Sequence, residues 1–181
     1  MCDKREHQGD KSNRELLVEL MESYGDMVLR VAFTYVKERQ LAEDISQEVF
    51  IRCYQSLDSF ENRSSYKSWL YRITVNCCKD YVKSWSFRNL ISKSLVKESD
   101  QNIDAVDSQV VKKEERDLLF KQVLKLSVKL REVLIFYYYE DLTVDEAANV
   151  LEVNPNTVKS RLYRARKALK NHLEGGMVLE K

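Results

Sequence analysis

Between residues 26 and 174 this chain has no glycine, and Pro155 is the sole proline of the whole sequence. Sheet proteins turn often, and their turns depend on glycine for left-handed backbone and on proline for a preset φ. A chain this poor in both predicts an all-α fold. The same scarcity removes whole classes of function. A phosphate-cradling Walker loop and a dinucleotide-binding turn each need glycines at fixed spacing. Gly9, Gly25, Gly175 and Gly176 do not supply them.

The helical segments announce themselves by apolar spacing. Leu16, Leu17, Leu20, Met21, Tyr24, Val28, Leu29, Ala32 and Tyr35 recur with helical period and predict a long first helix. Residues 41–57 predict a second and 66–83 a third. Residues 86–116 are richer in Ser, Asp, Glu and Lys and thin in periodicity, so they read as a linker, although 106–111 would serve as the start of a helix. A helical pattern resumes over 118–139. Its end, VLIFYYY (133–139), is rich in strand-formers, but no second strand is available to pair with it, so a helix is expected there too. With 181 residues and 44% apolar content, two small helical domains fit: 15–85 and 117–173, the linker 86–116 between them, and tails at 1–14 and 174–181.

Cys2, Cys53, Cys77 and Cys78 do not make a metal or disulfide framework. Cys77 and Cys78 are adjacent rather than spaced as CxxC, and His7 and His172 lie far off in sequence. Buried, idle thiols in a reducing compartment are the expectation. No apolar run reaches the ~18 residues of a membrane span, and the polar start MCDKREHQGDK lacks a signal-peptide core. A cytoplasmic protein is expected.

Net charge is +1 and gives no clue to a partner; the local distribution does. Glu140, Asp141, Asp145, Glu146 and Glu152 precede a stretch, Asn156 to His172, with six Lys or Arg and no acid. Thr143 followed three residues later by Glu146 predicts a capping-box start. Val144, Ala147, Ala148 and Leu151 give one short helix its apolar face. Glu152-Val153-Asn154 breaks it, and Pro155 suits the first turn of the next helix. Val158, Leu162, Ala165 and Leu169 form that helix's buried stripe, leaving Asn156, Lys159, Ser160, Tyr163, Arg164 and Lys167 outward. This is a helix-turn-helix with a basic second helix, suited to phosphates and base edges. A solvated bundle helix is the plainer alternative, but such faces usually carry acids as well.

Two further clusters stand out. Asp44, Gln47 and Glu48 share one helix face at i, i+3, i+4, which alone is compatible with ordinary solvation. In SYKSWLYRITVNCCKDYVKSW (65–85), Tyr66, Trp69, Tyr71, Tyr81 and Trp85 interleave with Lys67, Arg72, Lys79 and Lys83. Core packing alone would account for Trp69 and Tyr81; rings beside cations would also suit unstacked bases.

LAEDISQEVFIRCYQSLDSF (41–60), SSYKSWLYRITVNCCKDYV and LTVDEAANVLEVNPNTVKSRLYRARKAL, in this order, resemble the extracytoplasmic-function (ECF) sigma factors of bacterial RNA polymerase. The resemblance covers roughly residues 15–173 and makes 15–85 sigma region 2 and 117–173 sigma region 4. It implies that Asp44, Gln47, Glu48 and Phe50 dock on the polymerase β′ subunit. It assigns the −10 element to a loop at Phe60 to Lys67 (Asn62, Arg63, Ser64, Ser65, Tyr66 and Lys67) and to Trp69, Tyr71, Arg72, Asn76 and Lys79 on the adjoining helix. It assigns the −35 element to Asn156, Thr157, Lys159, Ser160, Tyr163, Arg164 and Lys167, with Arg161 and Arg166 on phosphates. Partners implied are core polymerase through β′ and β, promoter DNA, and an anti-sigma factor linked to the membrane. No cofactor, metal or small-molecule substrate is implied. Ile45-Ser46 and Cys77-Cys78 depart slightly from the usual family residues. Two rivals remain: a stand-alone helix-turn-helix regulator, which leaves the Asp44 and Trp69 regions unexplained, and a helical enzyme, for which no nucleophile, base or metal cluster can be named.

Overall fold

The computed structural model describes residues 3–60, 64–91 and 110–178, with side chains over 13–60, 64–84 and 118–173. These residues are helical without a strand, as the glycine and proline distribution predicts. They fall into two compact units, residues 1–93 and 94–181.

The first unit holds α1 (Asp3–Val36), α2 (Arg39–Ser56), a 3-10 turn (Leu57–Ser59) and α3 (Tyr66–Ile91). Each of the three helices packs on the other two. The core is built from Val28, Val31, Ala32 and Tyr35 of α1, Ala42, Ile45, Val49 and Cys53 of α2, and Leu70, Thr74, Val75 and Cys78 of α3, all buried. Buried hydroxyls find partners inside their own helices: Thr34 Oγ1 donates to the Val31 carbonyl and Thr74 Oγ1 to the Leu70 carbonyl, both at 2.7 Å. Between α1 and α2 the chain reverses over Lys37 and Glu38. Lys37 takes a left-handed φ of 60°, and its N–H donates to the Phe33 carbonyl at 2.8 Å.

The second unit begins with α4 (Val110–Lys125) and α5 (Val128–Leu134), which runs into a π-helical turn (Ile135–Tyr139). α6 (Val144–Leu151) and α7 (Pro155–Val178) follow. Arg131 through Phe136 are six consecutive buried residues. A helix enclosed on every side is apolar on every side, which is why VLIFY resembles a strand in composition and forms a helix in place. Arg131 is charged yet 2% exposed; its Nη1 donates to the Leu124 carbonyl at 2.6 Å, capping one of the last carbonyls of α4.

Element boundaries differ from expectation at three places. α1 extends back to Asp3, through the stretch expected to be a tail. Once a helix is nucleated each added residue gains a hydrogen bond, and Asn13 Nδ2 ties this end to Asp58 Oδ1 at 2.7 Å. α3 runs on to Ile91 and α4 starts at Val110, so both enter the expected linker; residues 92–109 of it lie outside the described residues. α7 continues to Val178, past Gly175 and Gly176.

Candidate nucleic-acid interface

The helix-turn-helix is set by its caps. Thr143 Oγ1 accepts from the Glu146 N–H at 3.2 Å while the Glu146 carboxylate accepts from the Thr143 N–H at 2.8 Å, the reciprocal pair foreseen from their spacing. α6 ends at Glu152, which takes a left-handed φ of 57° in place of a glycine. The Asn154 side chain then accepts from the Asn156 N–H at 2.9 Å, so α7 starts at Pro155. Val158, Leu162 and Ala165 are buried against the domain, and Leu169 is half-buried. Asn156, Lys159, Ser160, Tyr163, Arg164 and Lys167 are exposed, Tyr163 at 68%; Thr157 is half-buried. The outward face is therefore the one predicted, and it carries cations without an acid among them.

Two arginines of α7 make side-chain contacts with other elements of their own unit. Arg161 Nη1 donates to Glu132 Oε1 at 2.7 Å, with the two side chains only 18% and 5% exposed. Expected on a phosphate, Arg161 neutralises the buried carboxylate of α5 and fastens α7 to it. Arg166 is exposed but not loose. Its Nε donates to the Tyr138 hydroxyl at 2.8 Å, and its guanidinium carbon lies 5.5 and 5.9 Å from the centroids of Tyr138 and Tyr137.

In the first unit, Phe60, Tyr66 and Trp69 form one aromatic cluster between the end of the 3-10 turn and the start of α3. Phe60 lies 4.6 Å from Tyr66 and 4.7 Å from Trp69, centroid to centroid. Arg72 Nη2 donates to Ser64 Oγ at 3.1 Å, holding the loop's return to the helix. Ser65 starts α3, its hydroxyl accepting from the Ser68 N–H. Trp69, Arg72, Asn76 and Lys79 share the outward side of α3; Asn76 is exposed, the others half-buried. Lys67 is exposed and sits 5.8 Å over the Tyr71 ring. Tyr71 itself is 0% exposed, which removes it from the expected DNA-facing set. It falls in register with Leu70, Thr74, Val75 and Cys78, so the helical period already pointed it inward. Asn62 and Arg63 lie outside the described residues.

On α2, Asp44, Gln47 and Glu48 are exposed on one stripe, opposite Ile45, Val49 and Cys53. Phe50, expected on the docking face, is 7% exposed and belongs to the core. The sequence reading missed Ile51, 52% exposed at i+7 from Asp44 and i+3 from Glu48, continuing the stripe at its C-terminal end. It also missed Arg52, whose Nε reaches Glu48 at 2.7 Å and whose Nη1 reaches Asp80 of α3 at 3.1 Å. Hydrogen bonds from Glu48, then Asp80, raise the Arg52 pKa still further above its already high value. The i, i+4 spacing of Glu48 and Arg52 would have revealed the first bond; only the packing of α2 on α3 supplies the second.

Cys53, Cys77 and Cys78 are buried. Desolvation pushes the first two thiols up to about 11 and the third higher still, so at neutral pH they are inert apolar side chains. Cys2 lies outside the described residues. No helix among the described residues is long and apolar enough to cross a membrane.

Comparison with known proteins agrees with this layout. The Sigma-70 region 2 family model matches residues 20–87 and the Sigma-70, region 4 model residues 116–169. The chain is 33% identical over 152 residues to the ECF RNA polymerase sigma factor SigM of Bacillus subtilis, spanning 84% of this chain and 91% of that protein. It is 29% identical over 181 residues to SigW of the same organism, spanning 96% and 97%. The structure of the sigma factor RpoE in complex with the anti-sigma factor NepR from Bartonella quintana matches with a TM-score of 0.72 at 24% identity, covering 91% of this chain and 98% of that one. With two sigma regions in the order its motifs require and relatives that match from end to end, the chain belongs to the ECF RNA polymerase sigma factors.

Proposed function

We propose that this sigma factor divides promoter recognition between its two units, the first docking on core polymerase and opening the −10 region, the second reading the −35 element in intact duplex. The observation that carries the reading is the exposed face of α7: Lys159, Ser160, Tyr163, Arg164 and Lys167 project from a capped helix-turn-helix with no acid among them. Arg164 pairs with guanine O6 and N7 in the major groove, and Lys159 and Lys167 neutralise phosphates. On α2, Asp44, Gln47 and Glu48 meet a basic surface of β′, with Ile51 adding an apolar contact at the end of the stripe. At −10 the aromatic cluster of Phe60, Tyr66 and Trp69 stacks on the separated strand's bases, and Lys67, Asn76 and Lys79 meet its backbone. Unpairing costs a few kcal/mol, which ring stacking and cations offset without nucleotide hydrolysis. No small-molecule substrate or cofactor enters this reading. The protein acts in the cytoplasm, and sequestration by a membrane-linked anti-sigma factor is its regulation; the RpoE–NepR complex supports an anti-sigma partner as such.

The test is run-off transcription with purified core polymerase on a genomic promoter pool, which should give a defined set of transcripts dependent on this chain. Reversing Asp44 and Glu48 together to Lys should abolish co-purification with core while thermal unfolding stays unchanged, because exposed carboxylates contribute little to folding. Normal core binding by that variant would refute the docking surface. Sequence-specific binding without any association with core would favour the stand-alone regulator.

A further inference from the structure

The pairing of Arg166 with the tyrosines of the π-helical turn has no place in the readings so far. Tyr138 is 57% exposed, so its hydroxyl has water available and does not need Arg166 for satisfaction. It nonetheless accepts from Arg166 Nε at 2.8 Å, with the guanidinium flanked by the rings of Tyr138 and Tyr137. The contact joins residues 28 apart in sequence, one on α7 and one on the turn after α5. Nε is the inner donor of the fork. Once it is bound, the outer nitrogens, which make the bidentate contacts to phosphate, project from the protein in a fixed direction. An exposed arginine otherwise loses much of its rotamer freedom on meeting DNA.

The geometry points to Tyr138 as a positioning residue: it holds Arg166 in advance in the conformation that clamps a phosphate flanking the −35 contacts. The π-helical turn is the device that allows it. Glu140 N–H bonds to the Ile135 carbonyl at 3.0 Å, five residues back, and this wider turn leaves Tyr138 and Tyr139 outside while Phe136 and Glu140 are buried. The inference rests on Arg166 facing DNA, and the experiment separates the two claims.

Binding of the full chain to a fluorescent mixed-sequence duplex would be measured by anisotropy across a salt series; phosphates are common to every sequence, so no cognate promoter is needed. Arg166→Ala should weaken binding and reduce the salt slope by about one. Tyr138→Phe, which keeps the ring and removes the acceptor, should weaken binding about three- to tenfold and leave the slope unchanged, since the charge still reaches its phosphate. Added to Arg166→Ala, Tyr138→Phe should have no further effect. A full Tyr138→Phe loss persisting in the Arg166→Ala background would overturn the positioning role while leaving the phosphate contact standing. So would wild-type affinity for Tyr138→Phe alone. An unchanged slope for Arg166→Ala would remove the phosphate contact and the positioning role together, and Arg164→Ala in the same assay would still report on the rest of the face. Thermal unfolding of Tyr138→Phe within a degree or so of wild type, as expected for an exposed hydroxyl, keeps a folding defect from imitating the result.

Discussion

Arginines of the same helix have unlike roles because their neighbours differ. Arg161 and Arg164 are three apart on α7, and the sequence offers both to DNA. Glu132, 5% exposed, claims the first, and a buried carboxylate left without its cation is costly. Arg161→Ala should therefore lower unfolding free energy by about 3 kcal/mol, whereas Arg164→Ala should stay within about 0.5 kcal/mol of wild type and lose only DNA affinity. Urea unfolding of the two variants side by side checks this; equal stabilities would mean that the Glu132 pair is unimportant. The thiols make a second residue-scale point. Unfolded, they ionise near pH 8.5; folded, burial holds Cys53 and Cys77 to about 11. A raised folded pKa means that the stabilisation is complete below about pH 8.5 and is lost as pH climbs toward 11. Stability should fall over that window. The Cys53→Ala, Cys77→Ala double variant, although less stable at neutral pH, should show a shallower fall.

Helix ends and interiors show the other side of the scarcity of glycine. Lys37, Asp141 and Glu152 take positive φ without being glycine, each at a cost of about 1 kcal/mol, so the reversals of this chain are short and somewhat strained. Conversely, Gly25 sits inside α1, where no left-handed backbone is required of it, and a Cβ built there meets nothing within 4 Å. Gly25→Ala should stabilise the first unit by about 0.5–1 kcal/mol, seen as a raised Tm; a lowered Tm would mean that α1 needs the freedom of glycine at that point. The π-helical turn after α5 is the element that no periodicity foretold. Its tyrosines look like strand or core residues in sequence, and the wider turn is what puts two of them in solvent.

On the proposed reading, strand opening and duplex reading fall in different units and should be separable by mutation. Lys67 and Asn76 are both exposed on α3, in a unit that contains no part of α7. Alanine at both should slow the appearance of permanganate-reactive thymines near −10 by about tenfold, roughly the worth of two lost polar contacts, while −35 binding remains at wild-type strength. Opening at the wild-type rate would dismiss these residues; simultaneous loss of −35 binding would contradict the independence of the units.

Much of this was legible in the chain itself. The missing glycines and prolines dictate helices, because the turns of a sheet protein cannot be made without them. Thr143 with Glu146, and Asn154 before Pro155, place the helix-turn-helix, because caps are local chemistry between residues two or three apart. The stripe of Asp44, Gln47 and Glu48 follows from helical period alone. What the tertiary structure decided is which polar side chains are free to act. Glu132 taking Arg161, Tyr138 holding Arg166, Asp80 sharing Arg52 with Glu48, and Phe60 stacking on Trp69 all join residues 9 to 29 positions apart, on different elements. No helical repeat encodes such pairings. They arise when packed helices bring two faces together, and a buried charge then takes the counter-ion nearest to it, whatever that residue might otherwise have touched.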